Sequence, residues 1–291
     1  VLLKNDGVLP LEKTALDRIA VLGANAAEAR VMGGGSAQIN AHYRISPLEG
    51  IRAALSGANS VFHAQGVQNN RLTRKFTGPL EVAFHDSIDG SGPVVSATSA
   101  DMGEFLWLDM PDGIDKSRFS VRITGSYKAE ESGDHIFGMT AAGLGRLSVD
   151  GALVVNSDDG WQRGDNFFGL GNVEVRNTMT LEAGRTYAIS IDFRTLDAAG
   201  EGIALSALRF GIELPLGDAA IEEAVARARD CDVAVVFAGR EGEWDTEGLD
   251  LPGLDLPGRQ NELIARVAAV NPRTVVVLQT GGPIAMPWLD D

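Results

Sequence analysis

One cysteine in 291 residues, Cys231, excludes a disulfide framework and a thiolate metal cluster. It closes an amphipathic stretch beside Val233 and Ala234, the setting of an inert, buried thiol. Histidine is nearly as scarce. His42, His63, His85 and His135 show no ligand spacing, so neither a metal site nor a cofactor is expected. Basic residues are outnumbered 25 to 40 by acidic ones, giving a formal net charge of -15. Such a surface repels phosphate backbones and anionic headgroups, which argues against nucleic acid and membrane surfaces as partners. No apolar run reaches the roughly 18 residues that a membrane span needs. The opening Val1-Leu2-Leu3-Lys4-Asn5-Asp6 lacks the basic start and small-residue cleavage site of a signal peptide, so any export signal is expected outside this chain. The compartment stays open, with a periplasmic or secreted setting favoured over the cytoplasm.

Aromatic residues make up only 6%, whereas 35 glycines and 11 prolines supply turns to a chain that is 44% apolar. That composition is globular and loop-rich, and the length suits about two domains of roughly 100–200 residues. Ile19-Ala20-Val21-Leu22-Gly23 reads as a strand buried on both faces. Ser46-Pro47-Leu48-Glu49 reads as a capping box opening a helix that stops at Gly57, and Ser60–Ala64 as a second strand. The same alternation returns near the end of the chain. Ile221, Ala224, Val225 and Ala228 recur at helical spacing, followed by the apolar run 233–237, a helix through Leu263 and Val267, and the strand 274–278.

Between them, apolar and polar residues alternate, as in Phe119–Ile123 and Tyr187–Phe193, with frequent turns that include Asp150-Gly151. The expected fold is therefore α/β: a split parallel-sheet α/β sandwich over 1–70 and 216–291, interrupted at 71–215 by an inserted antiparallel β-sandwich.

Chemistry concentrates in Glu241-Gly242-Glu243-Trp244-Asp245-Thr246-Glu247-Gly248-Leu249-Asp250, just after a predicted parallel strand. Open α/β sheets bind ligands at the C-terminal ends of their strands. Clustered acids are often only solvated surface, but here a tryptophan lies among them. Glycoside hydrolysis needs paired carboxyl groups, and an aromatic face stacks on a sugar ring. The order of acids does not fit the twelve-residue calcium loop, so calcium ranks below catalysis. Gly33-Gly34-Gly35-Ser36 lacks the Gly-Lys-Ser/Thr ending of a phosphate loop, and a flexible loop near a sugar site fits better.

Val1-Leu2-Leu3-Lys4-Asn5-Asp6-Gly7-Val8-Leu9-Pro10-Leu11, Ile19–Ala26, Gly33–Ser36, Ser46–Gly50 and Gly282-Pro283-Ile284-Ala285-Met286-Pro287-Trp288-Leu289 resemble successive motifs of glycoside hydrolase family 3. Trp244-Asp245-Thr246-Glu247-Gly248-Leu249-Asp250 is similar to the acid/base loop of its β-glucosidase-like members, departing at Asp245 and Leu249 and again at Leu251. The resemblance implies that Glu247 is the general acid/base, with the raised pKa typical of such acids. It implies a retaining, exo-acting β-glucosidase-like enzyme that releases terminal sugars from short oligosaccharides or glycosides. Its nucleophilic Asp would lie on a catalytic barrel of the same protein, outside this chain, so the chain alone should be silent.

The segment 71–215 resembles a protective-antigen-like (PA-14 type) module. The paired aspartates of that module would fall near Ala141-Ala142-Gly143, which argues against a cation there. Trp161, Phe167 and Phe168 are candidates for a substrate wall, with sandwich core as the alternative, and Trp244 is a candidate sugar contact. The carbohydrate substrate and the barrel are the expected partners, and an oligomer is left open. The rival is a non-catalytic carbohydrate-binding or adhesion module with the α/β part as scaffold.

Overall fold

A computed structural model describes residues 1–55, 60–196 and 205–289. In chain order its elements are β1 (Arg18–Leu22), α1 (Pro47–Ala54), β2 (Ser60–Ala64), β3 (Thr77–His85), β4 (Val94–Met102), β5 (Glu104–Trp107), β6 (Ser120–Lys128), β7 (Gly133–Ala142), β8 (Leu144–Val149), β9 (Ala152–Asn156), β10 (Val175–Leu181), β11 (Thr186–Arg194), β12 (Ser206–Glu213), α2 (Asp218–Arg229), β13 (Val233–Gly239), α3 (Gln260–Val270) and β14 (Thr274–Gln279). They divide into two units, Val1–Arg71 with Leu216–Asp291, and Leu72–Pro215.

The first unit is an α/β layer built from both ends of the chain. Its parallel sheet runs β14-β13-β1-β2, so β1, from the N-terminal segment, pairs on one side with β2 and on the other with β13. Strands this apolar need cover on both faces, and they have it. Ala234, Val236 and Ala238 face one cluster with Ile221, Ala224, Leu263 and Val267 of α2 and α3. The alternate residues Val233, Val235 and Phe237 face another with Leu48 of α1. The predicted capping box closes α1: the Ser46 hydroxyl accepts the Glu49 N–H, and Glu49 accepts the Ser46 N–H at 2.7 Å. This helix ends at Ala54, capped by Leu55, and Gly57 lies outside the described residues.

The second unit consists of two antiparallel sheets, β10-β7-β12-β5 and β4-β3-β6-β11-β8-β9, that share one core. Phe119, Phe137, Phe193 and Phe210 are among its largest fully buried side chains. Asp150 and Gly151, both with positive φ (49° and 81°), make the tight turn between β8 and β9, as the dipeptide predicts. Within Ala141-Ala142-Gly143, a side chain on Gly143 would meet the Phe193 ring at 2.3 Å.

Candidate active site

Three loops leave the C-terminal ends of adjacent parallel strands and meet above the sheet. They are the loop after β1, which contains Gly33–Ser36, the acidic loop after β13, and the turn after β14. The glycines of the first loop let two backbones touch. A Cβ on Gly34 would lie 2.0 Å from the Gly242 carbonyl oxygen, and one on Gly33 would lie 2.8 Å from that of Asp245. Gly34 N–H donates to the Asp245 carbonyl at 2.9 Å. The expected flexible loop is instead a close-fitting clamp, because only glycine leaves the two main chains room to approach.

This clamp delivers Ser36 to Glu247. The Ser36 N–H donates to Glu247 Oε2 at 2.9 Å, while the carboxylate stays exposed. The Ser36 hydroxyl, then its N–H, hold the Glu247 carboxyl below its ordinary pKa, since hydrogen bonds to the charged form favour it. The raised pKa expected of a catalytic acid is absent from this arrangement: Glu247 is too well solvated for desolvation to outweigh the two donors.

Beneath Glu247 the acidic loop is pinned to the sheet. Arg240, only 3% exposed, follows β13 directly. Its Nη1 stands 3.5 Å from Asp245 Oδ1, and its Nη2 donates to the Pro283 carbonyl at 3.1 Å. Asp245 Oδ2 in turn accepts the Gly281 N–H at 2.8 Å, so one carboxylate ties the loops after β13 and β14 together. Glu241 accepts the Arg71 N–H at 3.1 Å and faces Arg30 at 3.4 Å. Burial, and secondly the charge of Glu243, push its pKa up to about 7. Trp244 Nε1 donates to the Asn69 carbonyl at 2.7 Å, and buried Asn69 bonds to Asn25 and to Gly239 at the end of β13. The indole is thus held by its polar edge, half-buried.

Residues 1–291 match the family model described as the glycosyl hydrolase family 3 C-terminal domain. The chain belongs to that family. It is 57% identical over 290 residues to a beta-glucosidase of Rhizobium radiobacter, aligning 99% of this chain with 36% of that protein. With a probable beta-glucosidase I of Aspergillus terreus the identity is 36% over 312 residues, again 99% of this chain and 36% of the relative. A solved beta-glucosidase from Kluyveromyces marxianus superposes with a TM-score of 0.87 at 29% identity, covering 100% of this chain and 36% of that one. The family 3 chain therefore spans 36% of the length of these curated relatives.

Of the sequence candidates, the acidic loop of this family 3 domain unites Glu247 and Trp244. Trp161, Phe167 and Phe168 belong to the second unit and lie outside its core cluster, so the sandwich-core alternative does not hold. Phe167 and Phe168 both adopt left-handed backbone (φ 53° and 59°), a costly conformation for bulky residues, and Phe168 is 81% exposed. Trp161 buries its indole N–H with no hydrogen-bond partner among the described residues. The composition gave no role to Arg240, Asn69 or Gly281. The available signal was an arginine directly after an apolar strand, because a buried cation at a strand end demands a carboxylate.

Proposed function

We propose that this chain supplies Glu247 as the general acid/base of a retaining, exo-acting β-glucosidase whose nucleophilic Asp lies on a barrel beyond these residues. The observation that carries the reading is an exposed carboxylate, fixed through Ser36 at the C-terminal edge of the parallel sheet of a family 3 domain. In the first half-reaction the Asp attacks the anomeric carbon while Glu247 gives its proton to the departing glycosidic oxygen. In the second, Glu247 takes a proton from water, whose oxygen attacks the same carbon and releases the Asp, so configuration is retained.

The depressed pKa of Glu247 suits the ionised form that the second step requires. Bound sugar would strip solvent from the carboxyl and raise its pKa for the first. Two family relatives named beta-glucosidase support terminal glucose as substrate, and the Kluyveromyces marxianus enzyme has been solved in complex with glucose. Trp244, its polar edge occupied by Asn69, would lend ring surface to the sugar. Within the second unit, the protective-antigen-like module of this reading, Trp161, Phe167 and Phe168 would serve as carbohydrate contacts. The chain alone would turn over no glycoside, because it lacks the nucleophile in this reading.

The test is hydrolysis of a panel of nitrophenyl glycosides by the complete protein and its Glu247→Ala variant, with and without azide. The expected outcome is a large rate loss on poor leaving groups and rescue by azide as the glycosyl azide. Equal rates in parent and variant would overturn the assignment and favour a binding module.

A further inference from the structure

The six-stranded sheet of the second unit gives one face to the core, and on the other it carries two ranks of polar side chains. Pairing sets Arg122 beside Asp192, and Asp192 beside Arg146, on three consecutive strands. Two residues along, His85, Ser120 and Arg194 form the second rank. Arg122 Nε donates to Asp192 Oδ1 at 2.7 Å. Arg146 and Arg194 converge on Asp158 Oδ2 at 2.7 and 3.2 Å, and the Asp158 side chain is only 10% exposed.

A solvated sheet face needs charge, but it does not need a roof. This one has a roof, made by residues 86–92. The Ser120 hydroxyl donates to the Ser87 carbonyl at 2.6 Å, and His85 Nδ1 donates to the Gly92 carbonyl at 2.8 Å. Beneath lies a cavity of about 320 Å³. That is near the lower end of the roughly 300–1,000 Å³ typical of ligand pockets. Three arginines line it with Asp89, Asp158 and Asp192, so its formal charges cancel, and Ile88 and Leu144 add apolar surface.

We propose that this cavity binds a neutral polyhydroxylated ligand, one or two sugar rings, at a site that uses none of the acidic-loop residues. A pair of adjacent hydroxyls can donate to an aspartate and accept from its neighbouring guanidinium, and bonds to charged partners are the strong ones. An anion would meet Asp158 and Asp192, and a cation would meet the arginines, so the balanced lining disfavours both. Ile88 and Leu144 offer the C–H face of a ring its apolar contact.

Titration of chain 1–291 with D-glucose, cellobiose, D-xylose and N-acetylglucosamine, with citrate as the anionic control, tests this by calorimetry and saturation-transfer NMR. Saturable binding of at least one sugar is expected, weakened tenfold or more in Asp158→Asn/Asp192→Asn and unchanged in Glu247→Gln. Ile88→Trp, which fills the cavity and leaves the ion pairs in place, should abolish it and decides the matter if the double variant fails to fold. Sugar binding lost in Glu247→Gln but retained in both cavity variants would overturn the proposal. Binding of citrate alone, or of no probe at all, would do the same. None of these outcomes bears on hydrolysis by the complete protein, so this site and the role of Glu247 stand or fall separately.

Discussion

Ser36 and Glu247, 211 residues apart in sequence, are joined by a 2.9 Å bond from a backbone N–H to a carboxylate oxygen. The Ser36 hydroxyl, ahead of that N–H, lowers the Glu247 pKa. Ser36→Ala removes the hydroxyl and keeps the N–H, so the carboxyl should titrate closer to its usual value of 4.5 while remaining in place. A ¹³C-detected titration of chain 1–291 reads this directly. In the complete protein the basic limb of kcat/KM should move to higher pH, because that limb follows the loss of the proton Glu247 must donate. An unmoved titration curve would show that the hydroxyl has no hold on Glu247.

The clamp makes a second, steric prediction. Gly34→Ala sets a methyl 2.0 Å from the Gly242 carbonyl oxygen, and that backbone atom can yield only if the two loops separate. A loss of about 1–3 kcal/mol is expected, the usual cost of overpacking, seen as a lower thermal midpoint. Gly248→Ala is the control. It lies in the same acidic loop, and its Cβ would meet nothing within 4 Å, so only the cost of its positive φ remains. Equal midpoints for the Gly34 variant and the parent would mean that the loops part without cost.

Strand β14 pairs only with β13 among the described residues, which leaves an apolar edge, Thr274-Val275-Val276-Val277-Leu278-Gln279, half-buried along its length. Unpaired apolar edges template association between chains. Isolated chain 1–291 is therefore expected to self-associate with rising concentration, and Val276→Lys should suppress this by adding charge to the edge. Analytical ultracentrifugation of both proteins checks it, and identical concentration dependence would remove the edge from the explanation.

The fold was readable because its signals are local. The run Val233–Phe237 is apolar on both faces, Ser46-Pro47-Leu48-Glu49 caps its own helix, and Asp150-Gly151 turns its own hairpin. The general position of Glu247 was readable from the strand before it and from its motif. What surrounds Glu247 was not. Arg240 bonds to Pro283, Asp245 to Gly281, and Trp244 to Asn69 across separations of 36 to 175 residues, and composition carries no trace of such partners. The lowered pKa of Glu247 is hidden from the sequence for the same reason: the donor that sets it comes from the loop after β1, and a triple glycine suggests freedom where the structure uses it for close contact.

Glu241 makes the last prediction, and its sign can be worked out. Its side chain is 10% exposed, Arg30 Nη2 lies 3.4 Å away, and the Arg71 N–H reaches Oε1 at 3.1 Å. Burial first, and the neighbouring Glu243 second, still raise its pKa from 4.5 to about 7. Between these values the folded chain keeps a proton that the unfolded chain has released, so stability falls as pH rises through this window and levels off above about 7. The loss is on the order of 3 kcal/mol at most, since each tenfold change in an acid dissociation constant corresponds to about 1.4 kcal/mol. Glu241→Gln cannot titrate, and it keeps the backbone carbonyl that accepts the Trp244 and Asp245 N–H groups at 3.0 and 3.1 Å, so the acidic loop should hold its shape. Urea midpoints measured at several pH values from 4.5 to about 8 should therefore fall for the parent up to about pH 7 and decline less for the variant, the two curves diverging most near neutrality. Parallel curves would mean that Arg30 holds Glu241 ionised throughout, and the burial that raises its pKa would then have been outweighed by that one ion pair.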